Sequence, residues 1–186
     1  MTQTFDTLLR CIHLIFRAMS SLRKTLNVLF LCTHNSARSI LAEAALNHLG
    51  QGRFQAFSAG SSPRDNQQPN PLGLRVLQAA GIPIDGLRSK SWDEFAGADA
   101  PPMDLVITVC DNAAGEVCPY WPGHPATAHW SYADPSAVVG TEEQRLVAFQ
   151  TTLKAIQHRL ALLVNLTPDA LNPQELERSA RRLANA

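Results

Sequence analysis

The stretch Asn27-Val28-Leu29-Phe30-Leu31-Cys32-Thr33-His34-Asn35-Ser36-Ala37-Arg38-Ser39-Ile40-Leu41-Ala42-Glu43-Ala44-Ala45 decides how this chain folds. Asn27 to Leu31 is a short apolar run rich in strand formers, as a strand buried on both faces requires. From Ser39 to Leu49 the spacing turns helical, with Ile40, Leu41, Ala44, Ala45 and Leu46 apolar and Gly50 as the stop. Between them lies a loop in which Cys32 and Arg38 flank residues that are mostly small or carry a hydroxyl or amide.

Outward from this stretch the alternation continues. Arg53 to Ser58, ending in Ala59-Gly60, is a second strand, and Asn70-Pro71 opens a helix that Gly81 closes. Asp104 to Val109 is the clearest strand, and Ala126 to Tyr132 a short fourth one. Thr141-Glu142-Glu143-Gln144 is a capping box, followed by Leu146, Phe149, Leu153, Ile156, Leu160 and Leu163 along one helix face. A last, charged helix begins at Asn172-Pro173. Strands alternating with helices predict an α/β fold: a doubly wound, four-stranded parallel sheet with helices on both faces.

Composition narrows the classes. The 186 residues are 45% hydrophobic and 17% charged, enough for a single core of domain size. Sixteen basic residues balance sixteen acidic ones, which argues against gripping a nucleic-acid backbone. Four cysteines are too few for a disulfide scaffold, and no apolar run reaches the ~20 residues of a membrane span. A cytoplasmic protein is expected, with no stable membrane association. Residues 1–24 stand apart as an amphipathic extension: Arg10, Arg17, Arg23 and Lys24 face only Asp6, and Leu8, Leu9, Ile12, Ile15, Phe16 and Met19 recur at helical spacing. Three readings stay open there: an extra N-terminal helix packed on the domain, a surface- or partner-binding helix, or a natural start at Met19. Residues 25–186 form the expected domain.

In an open parallel sheet, ligands bind beyond the carboxyl ends of the strands. Cys32 follows the first strand, Cys110 the third, and Asp134 lies just past the fourth, so the topology gathers them on one edge. A loop such as Thr33-His34-Asn35-Ser36-Ala37-Arg38-Ser39 turns main-chain N–H groups inward at a helix N-terminus, forming a nest for a tetrahedral oxyanion. Arg38 adds a planar fork of donors. The same field is expected to lower the Cys32 thiol toward the thiolate, with Ser39 donating to the sulfur. Asn35 tolerates the positive φ that the loop needs. His34 reads best as a rim side chain. Taken alone, Asp134 reads better as a turn residue before Pro135. Cys110, Cys118, His124 and His129 fit no compact zinc spacing, so no metal is expected.

The stretch from Asn27 to Ala45 resembles the start of arsenate reductases of the low-molecular-weight tyrosine phosphatase superfamily. The likeness continues through Phe57–Gly60, Leu87–Trp92, Val106–Asp111, His129-Trp130 and Asp134-Pro135. The resemblance implies that Cys32 attacks arsenate held in the loop, that Arg38 binds its oxygens and that Asp134 protonates the leaving oxygen. It further implies a relay: Cys110 attacks the Cys32 adduct, releasing arsenite, and Cys118 then takes over the disulfide for a thiol carrier to reduce. Phosphate or sulfate would compete for the loop. The interval from Cys110 to Cys118 is one residue longer than in thioredoxin-linked members, which leaves the donor open between thioredoxin and a glutaredoxin-type reductant. Some members bind potassium through groups matching Asn35, Glu43 and Ser58; Trp92 stands where the completing carboxylate would, so no cofactor ion is expected. Two alternatives remain: a tyrosine phosphatase hydrolysing phosphate monoesters, and a non-enzymatic oxyanion-sensing module. Ser136-Ala137-Val138 offers no aromatic clamp for a phenyl ring, and a phosphatase needs neither later cysteine.

Overall fold

The computed structural model describes residues 25–110, 121, 123–167 and 171–185. The N-terminal extension and Cys118 lie outside them. The strands are β1 (Leu26–Cys32), β2 (Phe54–Gly60), β3 (Leu105–Thr108) and β4 (Ala126–His129), all parallel in the order β2-β1-β3-β4. The helices are α1 (Arg38–Leu49), α2 (Pro71–Ala79), α3 (Glu142–Val164) and α4 (Pro173–Leu183).

β1 shows why a continuous apolar run becomes a doubly covered strand. Val28, Phe30 and Cys32 enter the larger core with Leu41, Leu46, Phe149, Ile156 and Leu160 of α1 and α3. Leu29 and Leu31 point the opposite way, against Val106, Phe95, Met103 and Trp121. α1 is buried at every residue from Ser39 to Leu46, Glu43 included. The capping box forms as read: Gln144 N–H donates to Thr141, and the Gln144 side chain accepts from Thr141 N–H. Asn70 and Asn172 cap α2 and α4, each followed by proline.

The fourth strand is shorter than its sequence suggests. The ladder ends where β3 turns away at Thr108, although Trp130 N–H still donates to the Thr108 carbonyl at 2.8 Å. Trp130 is fully buried and donates its indole N–H to Ala180 O of α4 at 2.8 Å. The winding of the sheet reverses between β1 and β3: the connection from β1 runs to β2 on one side, and β3 lies on the other. That switch point is where a parallel sheet opens a crevice. Cys32 closes β1 there, and Cys110 follows β3.

Candidate active site

The loop after β1 takes its curl from Asn35 and its seat from Gly60. Asn35 has φ of 50°, the left-handed region that asparagine enters at low cost, as its residue type suggested. Gly60 ends β2 directly behind the loop; a Cβ there would sit 2.7 Å from Thr33 O and 3.0 Å from Asn35 N. Bare backbone is what allows the approach. Ser61 and Ser62 N–H then donate to the carbonyls of Cys32 and Thr33 at 3.0 and 2.9 Å. Asn70 N–H holds Ser36 O at 2.8 Å, and His34 sets Nδ1 2.9 Å from Ser62 O at the rim. Ala37 occupies the N-cap of α1 and has no side chain to cap it. The first-turn N–H groups are therefore left for an anion.

Cys32 is 4% exposed and free of any disulfide. Its Sγ accepts from Asn35 N–H at 3.1 Å and lies 2.9 Å from Ser39 Oγ. Ser39 Oγ itself accepts from Asn35 Nδ2 at 2.9 Å, which leaves its proton directed at the sulfur. Burial nonetheless pushes the thiol above the ordinary cysteine value; Ser39 pulls it back, the nearby Cys110 adds to the rise, and the main-chain N–H groups of Asn35 and Ser39 oppose it. This corrects the expectation of a lowered thiol. The Arg38 guanidinium is engaged elsewhere, with Tyr132 O at 3.1 Å and Asp134 Oδ2 at 2.9 Å.

Cys110, also free and buried, places Sγ 3.6 Å from Thr33 Oγ1, so the second thiol adjoins the loop. Asp134 caps the short turn Pro135–Ala137 through Ser136 N–H, and pairs with Arg38 across the cleft. One carboxylate thus caps the turn and holds Arg38. The cleft holds about 580 Å³ and is lined by Cys32, Arg38, Asp134, Ser136, Gln68 and Arg64, among others. Arg64 was not singled out in the sequence, where it sits in an unpatterned polar loop.

Behind the loop lies a buried polar chain. Asn35 Nδ2 also donates to Ser58 Oγ at 2.8 Å, and Ser58 donates to Glu43 Oε2. Lys90 Nζ donates to that same carboxylate oxygen at 3.3 Å and to Arg88 O at 3.2 Å. Asn35 is pinned further by Lys90 N–H on its Oδ1 and by Ser89 Oγ–H on its carbonyl. Asn35, Glu43 and Ser58 do come together, yet a potassium ion does not fit beside them: the ammonium of Lys90 already holds the carboxylate, and a second cation would meet like charge. Among the described residues no cluster of histidine, cysteine or carboxylate side chains is arranged to hold a metal.

A model of the low molecular weight phosphotyrosine protein phosphatase family matches residues 27–180. The chain belongs to that family. It is 37% identical over 134 residues to an arsenate reductase of Bacillus licheniformis, spanning 72% of this chain and 91% of the relative. It is 36% identical over the same length to an arsenate reductase of Bacillus subtilis, with the same coverage. Among solved structures, an arsenate reductase in the phosphate binding state superposes with a TM-score of 0.60 at 28% identity, covering 75% of this chain and 97% of that one. A low molecular weight protein tyrosine phosphatase from T. tengcongensis, 21% identical with a TM-score of 0.55, shares the fold. The matched span includes the Cys32–Ser39 segment.

Proposed function

We propose that this protein reduces arsenate to arsenite, with Cys32 as nucleophile and Cys110 and Cys118 as a disulfide relay. The observation that carries the proposal is the second buried thiol beside the nucleophile's loop, Cys110 Sγ 3.6 Å from Thr33 Oγ1. Hydrolysis of a phosphate ester has no use for it, whereas a two-electron reduction needs thiols. The curated relatives named arsenate reductase support the same reading.

Arsenate enters the nest of Thr33 to Ser39, where main-chain N–H groups and the α1 terminus bind its oxygens. Arg38 swings its fork from Asp134 onto the anion, and the released carboxylate takes a proton from solvent water in the cleft, which it then passes on as acid. Because burial favours the thiol, the Cys32 proton leaves on substrate binding, to an arsenate oxygen. The thiolate forms an S–As bond while Asp134 protonates the departing oxygen, which leaves as water. The Cys110 thiolate then attacks Cys32 Sγ. An S–S bond forms, the S–As bond breaks, and its electron pair stays on arsenic as arsenite. Cys118 attacks Cys110, restoring the Cys32 thiol, and the Cys110–Cys118 disulfide is reduced by a thioredoxin- or glutaredoxin-type dithiol. In this proposal residues 25–186 are the catalytic unit and act in the cytoplasm.

The test is arsenate-dependent oxidation of a reconstituted dithiol carrier, with intact mass after one turnover. Cys118→Ser is expected to complete one turnover and then stop with Cys32 joined to Cys110. Normal cycling of that variant would overturn the relay. Fast hydrolysis of aryl phosphates, insensitive to Cys110→Ser and without arsenite release, would favour the phosphatase alternative.

A further inference from the structure

Lys90 is 8% exposed, and its ammonium rests on the Glu43 carboxylate, itself 8% exposed. A lysine so deeply placed requires a reason. From that pair runs an unbroken directional chain: Ser58 donates to Glu43, Asn35 Nδ2 donates to Ser58 and to Ser39, and Ser39 lies 2.9 Å from Cys32 Sγ. Asn35, Ser39 and Ser58 are all fully buried, so water cannot substitute for any link. A hydroxyl has a single proton: Lys90 N–H on Asn35 Oδ1 fixes the amide, and Ser58 accepts from Asn35 Nδ2 while giving its own proton to Glu43. That in turn requires Glu43 to be a strong acceptor. We propose that Lys90 is a positioning residue for the nucleophile: its ammonium holds Glu43 as the carboxylate that orients Ser58, Asn35 and Ser39 so that Ser39 donates to Cys32. It serves as a cation built into the chain, its charge already resting on the Glu43 carboxylate.

Removing the ammonium works against the thiolate by either of two routes. If Glu43 stays ionised, an uncompensated negative charge lies behind the loop. If it takes up a proton, it becomes a weaker acceptor and can itself donate to Ser58, scrambling the chain. Arg88 and Glu94 also face Lys90; they pair with each other at the surface, and Arg88 pulls on Glu43 in the same sense as the Lys90 ammonium but more weakly. Replacing both partners by neutral groups should repair the defect, because the amide carbonyl introduced by Glu43→Gln still accepts from Ser58.

The inference rests on Cys32 being the nucleophile, and its readout is independent of arsenate. The rate of Cys32 alkylation by iodoacetamide is measured against pH in full-length wild type, Lys90→Met, Glu43→Gln and the double variant. All four carry Cys11, Cys110 and Cys118 as serine. Lys90→Met is expected to raise the alkylation midpoint by about one pH unit, equivalent to roughly tenfold less thiolate at neutral pH. The double variant should return to near the wild-type midpoint even if its thermal stability does not recover. A midpoint unmoved in Lys90→Met, or midpoints that track melting temperature across all four proteins, would overturn the positioning role. Absence of arsenate reduction in wild type would overturn the proposed function while leaving these midpoints readable.

Discussion

Ser39→Ala isolates the hydrogen bond on which the Cys32 thiol depends most. The hydroxyl lies 2.9 Å from Cys32 Sγ in a site with no solvent exposure at position 39, and it is the strongest group opposing the rise of that thiol. A buried hydrogen bond to a charged partner contributes about 1.5–3 kcal/mol. Since one pH unit corresponds to about 1.36 kcal/mol, deleting it should lift the Cys32 midpoint by about one to two units. The wild type already starts high: burial outweighs its donors, so its midpoint is expected above the ordinary cysteine value of about 8.5 in the anion-free protein. Alkylation rate against pH, with Cys11, Cys110 and Cys118 replaced by serine, reads both numbers directly. A wild-type midpoint below about 7 would refute the account of burial, and a Ser39→Ala midpoint within a few tenths of wild type would refute the role of the hydroxyl.

Gly60→Ala is expected to displace the loop and cost about 1–3 kcal/mol, because its Cβ would strike backbone atoms that have no room to yield; phosphate protection in a thermal melt should vanish with it. Arg38→Lys should weaken oxyanion binding about tenfold or more, since an ammonium cannot reproduce the two-pronged contact seen with Tyr132 O and Asp134; competition by phosphate measures this. Burial holds the Tyr132 phenol up to about 12, so it favours the folded state fully below its ordinary value near 10 and loses that contribution as pH rises toward 12. Ultraviolet titration of phenolate in wild type against Tyr132→Phe should show this late ionisation, and a Tyr132 midpoint near its ordinary value would contradict it.

Much of the scaffold was legible because it rests on periodicity and on terminators. The run Asn27–Leu31, the caps at Asn70 and Asn172 and the box at Thr141 each carry a local signal strong enough to survive packing. The convergence of Cys32, Cys110 and Asp134 followed from topology alone. What sequence could not convey was depth. Ala126 to Tyr132 reads as one strand, but pairing stops at His129 because β3 has no residue left to offer. A cysteine beside an arginine at a helix start reads as a lowered thiol, yet enclosure on all sides decides the sign. Nothing local to Leu87–Trp92 marks Lys90 as buried; only the fold brings it against Glu43, 47 positions earlier in the chain.

The strand bearing Cys32 sits mid-sheet, and its second neighbour arrives late: Val28 pairs with Leu105, 77 positions downstream by their numbering. Translation at about 5–20 residues per second separates their emergence from the ribosome by about 4–15 s. Throughout that interval the thiol of Cys32 lacks its roof and meets cellular oxidants as an ordinary surface sulfur. Under the proposed function, which needs that sulfur reduced, the protein is thus most vulnerable before it is finished, and oxidative stress should lower the yield of competent molecules during synthesis more than it damages those already folded.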